Sequence, residues 1–451
     1  MIKLDYTNNK MKNIVIAVID SLRCKDLSLY GYSRENGKNL KEFAKDGVLF
    51  KQHFSCSNFS FPSMLSLFTG KYPNNHGLIH QFPYSKPEEI EKFKQNKFWF
   101  PSYLRKKGYY TACIGFLGLW LKKGFDFYQE DTFHEEEQSK LRRILNYKII
   151  RKILLSLPGW IYDLGKKITK KRSSIPIPPA KEAIDLAISK IGHSKKLKKP
   201  FFLFLHFDNT HFPYPTVQNP KSSGKNDKKT ILKSIKAKSQ KEYVKKRFVD
   251  ISLNSIDDIK NKSHSAIKEV DEQLGRFMDF LKKQKLWKNT IFIVLADHGL
   301  SVDEHGIYFS SAGLFDETIH VPLIMKIPGI ERKEIDEIVQ NIEIIPTILD
   351  FLKMEKPKNI DGISMLKMVK TKNKNINPIR DRVFAFDGLA EDIKAVRTKK
   401  RKLIVAKNNL CYLCKSGHHK EKEEYDLEED PGELKNIYSK SSKLEKFLKN
   451  K

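Results

Sequence analysis

Apolar positions along this chain recur with two periods. Three stretches are continuously apolar and rich in β-branched or aromatic residues: NIVIAVID at 13–20, KPFFLFLHFD at 199–208 and NTIFIVLADHG at 289–299. Short unbroken runs of this kind predict strands buried on both faces of a parallel sheet. Between them, apolar residues spaced three or four apart predict helices over 38–46, 62–69, 98–107, 180–193 and 264–284. Strands alternating with helices predict an α/β domain, with a large, mixed, mostly parallel sheet covered by helices on both faces. After about residue 375 the pattern shortens to RVFAFDG, IKAVRTKK, RKLIVAKN, LCYLCK and KEEYDLEEDPGE. These pieces predict a small antiparallel sheet with a closing helix near 441–449. The expected division is a large domain over 1–375 and a small C-terminal α+β subdomain over 376–451.

Open α/β sheets bind ligands at the carboxyl ends of their strands. The residues that follow each strand therefore matter most: Asp20 and Ser21, His206 to His211, and Asp297 with His298. Two carboxylates and an imidazole suit a divalent cation such as Ca, Mg, Mn or Zn. Ser60 lies two residues before Pro62, which favours the first turn of a helix. A hydroxyl there sees the positive helix end and free backbone N–H groups, which suits an anionic substrate. His211 is placed to donate a proton to a leaving group or to contact the anion. Each residue also has a plainer role open to it: Asp20 or Ser60 as a helix cap, Asp297-His298-Gly299 as a turn. Their convergence at three strand ends of one sheet favours the chemical reading.

Charge adds a further constraint. Lys and Arg number 84 against 54 Asp and Glu, a net charge of +30. Such a chain attracts polyanions, but the lysines are spread along its length and no nucleic-acid motif accompanies them. Two basic insertions interrupt the core, near 140–175 and 216–250. In the first, apolar residues at 141, 144, 145, 149, 153 and 157 keep helical spacing opposite a cationic face. That pattern fits a lid helix packed on the protein or, over 141–157, a peripheral contact with a membrane face. The second is expected to be a solvated excursion. No apolar run approaches the roughly 20 residues of a membrane span. The N-terminal stretch does not read as a signal peptide. Five scattered cysteines favour a reducing compartment, so a cytoplasmic location is expected. The stretch CYLCKSGHH holds a Cys-x-x-Cys and two His. It is expected to be a strand pair with incidental cysteines rather than a zinc centre.

Taken in order, the motifs resemble the sulfatase branch of the alkaline-phosphatase superfamily. VIDSLRCKDLSLYGY matches the family's opening strand and Asp pair. SFPSMLSLFTGKYPNNHG matches its Cys- or Ser-x-Pro-Ser-Arg segment and the following LTG-x-YP-x-x-HG block. GYYTACIGFLGLWLKKGFDFY, PFFLFLHFDNTHFPY, NTIFIVLADHGLSVDEHG, VPLIMKIPG, IIPTILD, DGISM and the tail EYDLEEDPGELKN follow in family order, from about residue 13 to 440.

The resemblance implies metal ligands at Asp20, Asp297 and His298, the nucleophile at Ser60, and a substrate-binding or proton-donating His at His211. Asp303, Glu304 and His305 fall on a loop near the site. His76, His305 and Ser311 are candidate substrate contacts, with His53 and His80 near the same cleft. Departures from the pattern matter as much. Ser21 replaces the second Asp of the first pair. Met64 replaces the Arg that directs conversion of the nucleophile to formylglycine, so an unmodified Ser60 is expected. Phe116 and Gly118 stand where the family carries a Lys and a His, and Ser311 and Ala312 where it carries a further cation. The implied activity is metal-dependent cleavage or transfer of sulfate or phosphate esters on glycan or lipid-linked substrates. Two alternatives stand beside it: a phosphoethanolamine- or glycerol-phosphate-type phosphotransferase, and a catalytically degenerate binder of anionic glycans.

Overall fold

The computed structural model describes residues 11–115, 118, 121–129, 178–218, 228–251, 253–371 and 377–448. The basic stretch 141–157 and Phe116 lie outside the described residues.

Among the described residues, eight strands form the main sheet: β1 (Asn13–Ile19), β2 (Val48–Phe54), β3 (Tyr110–Ile114), β4 (Phe127–Tyr128), β5 (Phe201–Phe207), β6 (Thr290–Leu295), β7 (Leu323–Lys326) and β8 (Lys333–Gln340). Their order is β4-β3-β5-β1-β6-β7-β2-β8. Only β7 runs antiparallel to its neighbours, β6 and β2. The three apolar runs of the sequence are the three central strands, with β1 between β5 and β6.

Alternation along β1 divides the core between the two faces of the sheet. Ile14, Ile16 and Val18 pack with Phe202, Phe204, Ile293 and Leu295 on one face. The helix Ser60–Thr69 covers that face with Met64, Leu65, Leu67 and Phe68. Val15, Ala17 and Ile19 pack on the other with Leu203, Leu205 and Val294, beneath helices Ala180–Lys196 and Ile256–Lys283. Each fully buried side chain of this kind contributes about 1.5–3 kcal/mol. The last helix starts eight residues earlier than its apolar period predicts. Ser255 caps it, its Oγ accepting from the Asp258 N–H at 3.1 Å.

The second basic insertion is not a solvated excursion over its described part. It forms helices Lys228–Ser234 and Lys238–Ile251. Val244, Phe248 and Ile251, at helical spacing, are buried against Phe212, Tyr214 and Phe309. The abundant lysines occupy the outer face and mask this short apolar stripe in the sequence. Its consequence is functional, because Phe212 and Tyr214 belong to the loop that carries His211.

The second sheet, β9 (Val383–Phe386), β10 (Ile393–Arg397), β11 (Arg401–Ala406) and β12 (Lys422–Asp426), is antiparallel in the order β12-β11-β10-β9. A buried ion network joins it to the main domain. The Lys402 ammonium, fully buried, contacts Asp316 at 2.9 Å and Glu433 at 2.8 Å, and Arg397 contacts Asp316 at 3.0 Å. Removing one member strands the others without compensation. Lys402→Ala should therefore cost about 3–5 kcal/mol, read as a lower urea midpoint at constant slope. A midpoint within error of the parent would show that the network contributes little.

Candidate active site

Strand order builds the site. Asp20 follows β1, Asp297 and His298 follow β6, and Asp208 and His211 follow β5. Because these strands are adjacent, their carboxyl ends bring the residues together although up to 278 positions separate them in sequence. The Asp20 N–H donates to the Phe207 carbonyl at 3.1 Å, and the Thr210 hydroxyl donates to the Asp20 carbonyl at 2.6 Å, which fixes the β1 and β5 ends together.

Asp20, Asp297 and His298 offer ligand atoms that all lie within 4.8 Å of one another, and all three residues are buried. His298 Nδ1–H donates to the Gly299 carbonyl at 2.8 Å, so Nε2 carries the free lone pair. Gly299 is required here, because a Cβ would stand 2.1 Å from the Glu317 carbonyl oxygen. Asp297 Oδ1 accepts from the N–H groups of Ser21 and His298, at 3.2 and 2.8 Å. Asp297 Oδ2 is buried with no hydrogen-bond partner. Burial raises the Asp20 carboxyl above its ordinary value, and the nearby Asp297 adds to the rise. For Asp297, burial also pushes upward, but His298 and His206 outweigh it and hold the carboxyl low. A buried carboxylate oxygen without a hydrogen-bond partner, beside a second carboxylate and a free imidazole lone pair, fits a hard divalent cation.

Ser60 is the first residue of its helix, and the extended Phe59 takes the cap position without a side-chain hydrogen bond. The Ser60 hydroxyl is therefore not a helix cap. Its Oγ lies 3.3 Å from Asp20 Oδ2 and 3.0 Å from His298 Nε2. The Phe61 N–H is satisfied instead by Gln81 Oε1 at 2.9 Å. Phe59 lies over the His298 ring with centroids 5.5 Å apart. His211 is exposed; its Nδ1–H donates to the Phe212 carbonyl at 2.6 Å, leaving Nε2 free. Its charge reaches Asp20 and acts to lower that carboxyl.

Ser21 does not replace the lost Asp as a ligand. It adopts a left-handed φ of 58°, and its Oγ donates to Asp20 Oδ1 at 2.5 Å. Met64, at the position of the family's Arg, is fully buried in the core beneath the sheet.

His206 is the residue that sequence reasoning includes among the strand ends without giving it a role. It pairs with Val18 in the register, and its ring sits between carboxylates. Nε2 is 3.8 Å from Asp20 Oδ2 and 3.6 Å from Asp297 Oδ2, and Nδ1 is 3.4 Å from Asp208 Oδ2. Burial alone would lower its pKa, but Asp208 and Asp297 raise it well above the ordinary value. The ring thus lies against both carboxylates of the metal-ligand candidates. The signal available in the sequence was its position one residue before the end of β5.

Three expected substrate contacts do not join this group. His76 is fully buried, its Nδ1 accepting from the Leu78 N–H at 3.2 Å and its Nε2–H donating to Ser66 at 3.1 Å. It is a core histidine that closes the turn after the nucleophile helix. His305 stacks on Phe315 at 3.6 Å and contacts Glu317 at 3.3 Å. Both rings of the stack belong to the seam with the second sheet, where Phe315 is part of the core. Ser311 is buried in the segment 310–315, which packs on the same seam. Of the further cleft candidates, His53 is fully buried on β2 against the Val321 carbonyl and His80 contacts Glu89 at 2.6 Å.

Two of these buried rings make stability depend on pH. Burial holds His76 and His53 neutral, with pKa values lowered from the ordinary 6.5 to about 3. Their contribution is complete above pH 6.5 and is lost as pH falls from there towards 3. Each adds a slope of up to about 1.4 kcal/mol per pH unit. In His76→Asn the amide oxygen can replace Nδ1 as acceptor, and the slope of unfolding free energy below pH 6.5 should fall by about half of the pair's share. An unchanged slope would refute the assignment.

Comparison with known proteins agrees with this geometry. Residues 12–354 match the Sulfatase family, and residues 303–451 match the domain described as N-sulphoglucosamine sulphohydrolase, C-terminal. The chain is 23% identical to an N-acetylglucosamine-6-O-sulfatase of Bacteroides thetaiotaomicron, over 97% of this chain and 84% of the relative. It is 23% identical to an arylsulfatase of Clostridium perfringens, over 96% of this chain and 92% of the relative. Its fold is similar to the crystal structure of a phosphonate monoester hydrolase of Agrobacterium radiobacter, with a TM-score of 0.64, 18% identity and coverage of 97% and 94%. The match of three quarters of the chain to one family, on a fold that gathers that family's strand-end residues, places this protein in the sulfatase family of the alkaline-phosphatase superfamily, as a sulfuric- or phosphoric-ester hydrolase.

Proposed function

We propose that this chain hydrolyses sulfate or phosphate esters on glycan-type substrates, with Ser60 as nucleophile and a divalent cation on Asp20, Asp297 and His298. The observation that carries the reading is the Ser60 hydroxyl, within hydrogen-bond reach of both Asp20 and His298. When bound, the cation supplies Lewis-acid polarisation of an ester oxygen. Ser60 Oγ bonds to sulfur or phosphorus in line with the leaving oxygen. Its proton passes to Asp20 Oδ2, 3.3 Å away. The bond from sulfur or phosphorus to the leaving oxygen breaks, and His211 Nε2–H protonates that oxygen. Water then attacks the sulfur or phosphorus of the esterified Ser60 and gives a proton to His211; the bond to Ser60 Oγ breaks, Oγ takes its proton back from Asp20, and inorganic sulfate or phosphate leaves.

An esterified serine differs from an esterified formylglycine hydrate, which can expel sulfate by collapsing to the aldehyde. A plain Ser60 must be attacked directly, which suits phosphoryl chemistry better than sulfuryl chemistry. The buried Met64 supports the unmodified serine. The glycan class rests on the sulfatase relative whose name gives N-acetylglucosamine, and on a net charge of +30 that favours polyanions. A cytoplasmic location remains part of this proposal.

The test is a matched panel of aryl sulfate, phosphate monoester, phosphodiester and sulfated amino-sugar substrates, with and without added Mn or Ca. Metal-dependent turnover is expected, and the preferred ester identifies the chemistry. A mass spectrum of the Ser60 peptide from the native host should show an unmodified serine; an aldehyde there would overturn that part of the reading. Ser21→Asp restores the second carboxylate of the first pair. It should tighten divalent-cation binding about tenfold or more, read by calorimetry; weaker binding would show that the site is built around Ser21.

A further inference from the structure

The loop between β11 and β12 carries three metal-binding side chains that the active site does not use. Cys411 and Cys414 are buried, and His418 is half-buried. Their ligand atoms all lie within 4.8 Å of one another, and Cys414 Sγ is 3.0 Å from His418 Nε2. The segment is a closed turn rather than the expected strand pair. The Cys411 N–H donates to the Ser416 carbonyl at 3.0 Å, and the Lys415 N–H donates to the Cys411 carbonyl at 2.9 Å. Lys415 turns the chain with a φ of 57°, and a bridge between Leu410 and Gly417 closes the base. This turn places two thiols three residues apart together and brings His418 back onto them. Neither cysteine is in a disulfide.

We propose that Cys411, Cys414 and His418 form a second metal site, for a borderline-soft divalent cation of the zinc class, distinct from the Asp20–Asp297–His298 group. Two thiolates and one imidazole select zinc or cobalt over calcium or magnesium, which prefer oxygen. Ligands of a tetrahedral zinc stand about 3.5–3.8 Å apart, so the cluster needs only a small opening of the Cys414–His418 contact. Binding displaces both thiol protons to solvent and leaves the fourth position to water.

The site would brace the seam beside the nucleophile. The Tyr412 N–H donates to the Leu389 carbonyl at 2.8 Å, and the Tyr412 ring stacks on Tyr84 at 5.1 Å. His419 Nε2 accepts from the Leu314 N–H at 3.1 Å. Cys411 and Cys414 belong to the apolar cluster on which Phe59, the neighbour of Ser60, is packed.

The experiment titrates the reduced, chelator-treated full chain with cobalt(II), then with zinc. A thiolate-to-cobalt charge-transfer band in the near ultraviolet should saturate at one equivalent and disappear on adding zinc. The band should be absent from the doubly substituted Cys411→Ser, Cys414→Ser protein and retained in Asp297→Asn, which alters only the other group. His418→Ala keeps both thiols at a half-buried position; its cobalt affinity should fall at least about tenfold with an unchanged circular dichroism spectrum. A parent protein without the band, or variants that keep it at full affinity, would overturn the proposal. So would thiols that mass spectrometry finds joined as a disulfide and that bind no cobalt after reduction.

Discussion

Replacing Ser60 by alanine should lower kcat/KM on the preferred ester by at least about 10³-fold, with cation binding and thermal stability close to the parent. The size follows from the role. If Ser60 Oγ forms the covalent bond, its removal leaves only positioning and electrostatic effects, as in other enzymes stripped of their nucleophile. Stability should change little because the hydroxyl caps no helix; Phe59 holds that position and Gln81 satisfies the adjacent N–H. Ser60→Cys separates two explanations. A thiol retains a nucleophile but lacks the hydroxyl's fit to Asp20 and His298, so partial turnover is expected on phosphate esters and little on sulfates. If Ser60→Ala retained more than about a tenth of parent activity, Ser60 would not be the nucleophile.

Asp297→Asn is the second large effect. The substitution keeps an oxygen for the Ser21 and His298 N–H groups but removes the charge that faces His206 and the other ligand candidates. Affinity for Mn or Ca should fall at least about 100-fold, and turnover should fall with it. Raising the cation concentration should recover part of the rate in Asp297→Asn but none in Ser60→Ala. That contrast distinguishes a ligand from a nucleophile. Equal calorimetric isotherms for parent and Asp297→Asn would place the cation elsewhere.

The unbroken apolar runs made the three central strands readable from the sequence, since only strands buried on both faces require every position to be apolar. Asp20, Asp297 and His298 were readable for the same reason: each follows such a run, and strand ends face the ligand side of an open sheet. The expected roles of His76, His305 and Ser311 had no comparable basis. They lie in turns and loops, where sequence spacing does not determine which way a side chain points. His76 points into the core, and His305 onto Phe315. The apolar stripe at 244, 248 and 251 was masked by lysines, although it anchors the loop that holds His211. At the start of the long helix, Ser255 carried a legible cap signal three residues before Asp258.

By itself, then, the chain determined its fold class, its small second sheet and the residue types at three strand ends, because hydrophobic period and strand termination are local properties. Only the tertiary structure decided that the Ser60 hydroxyl meets Asp20 and His298 rather than capping its helix, that Ser21 bonds to Asp20, and that His206 sits between carboxylates. Only it decided that Cys411, Cys414 and His418 converge in one turn. Each of these depends on contacts between distant elements or on the direction of a side chain, and both are set by packing.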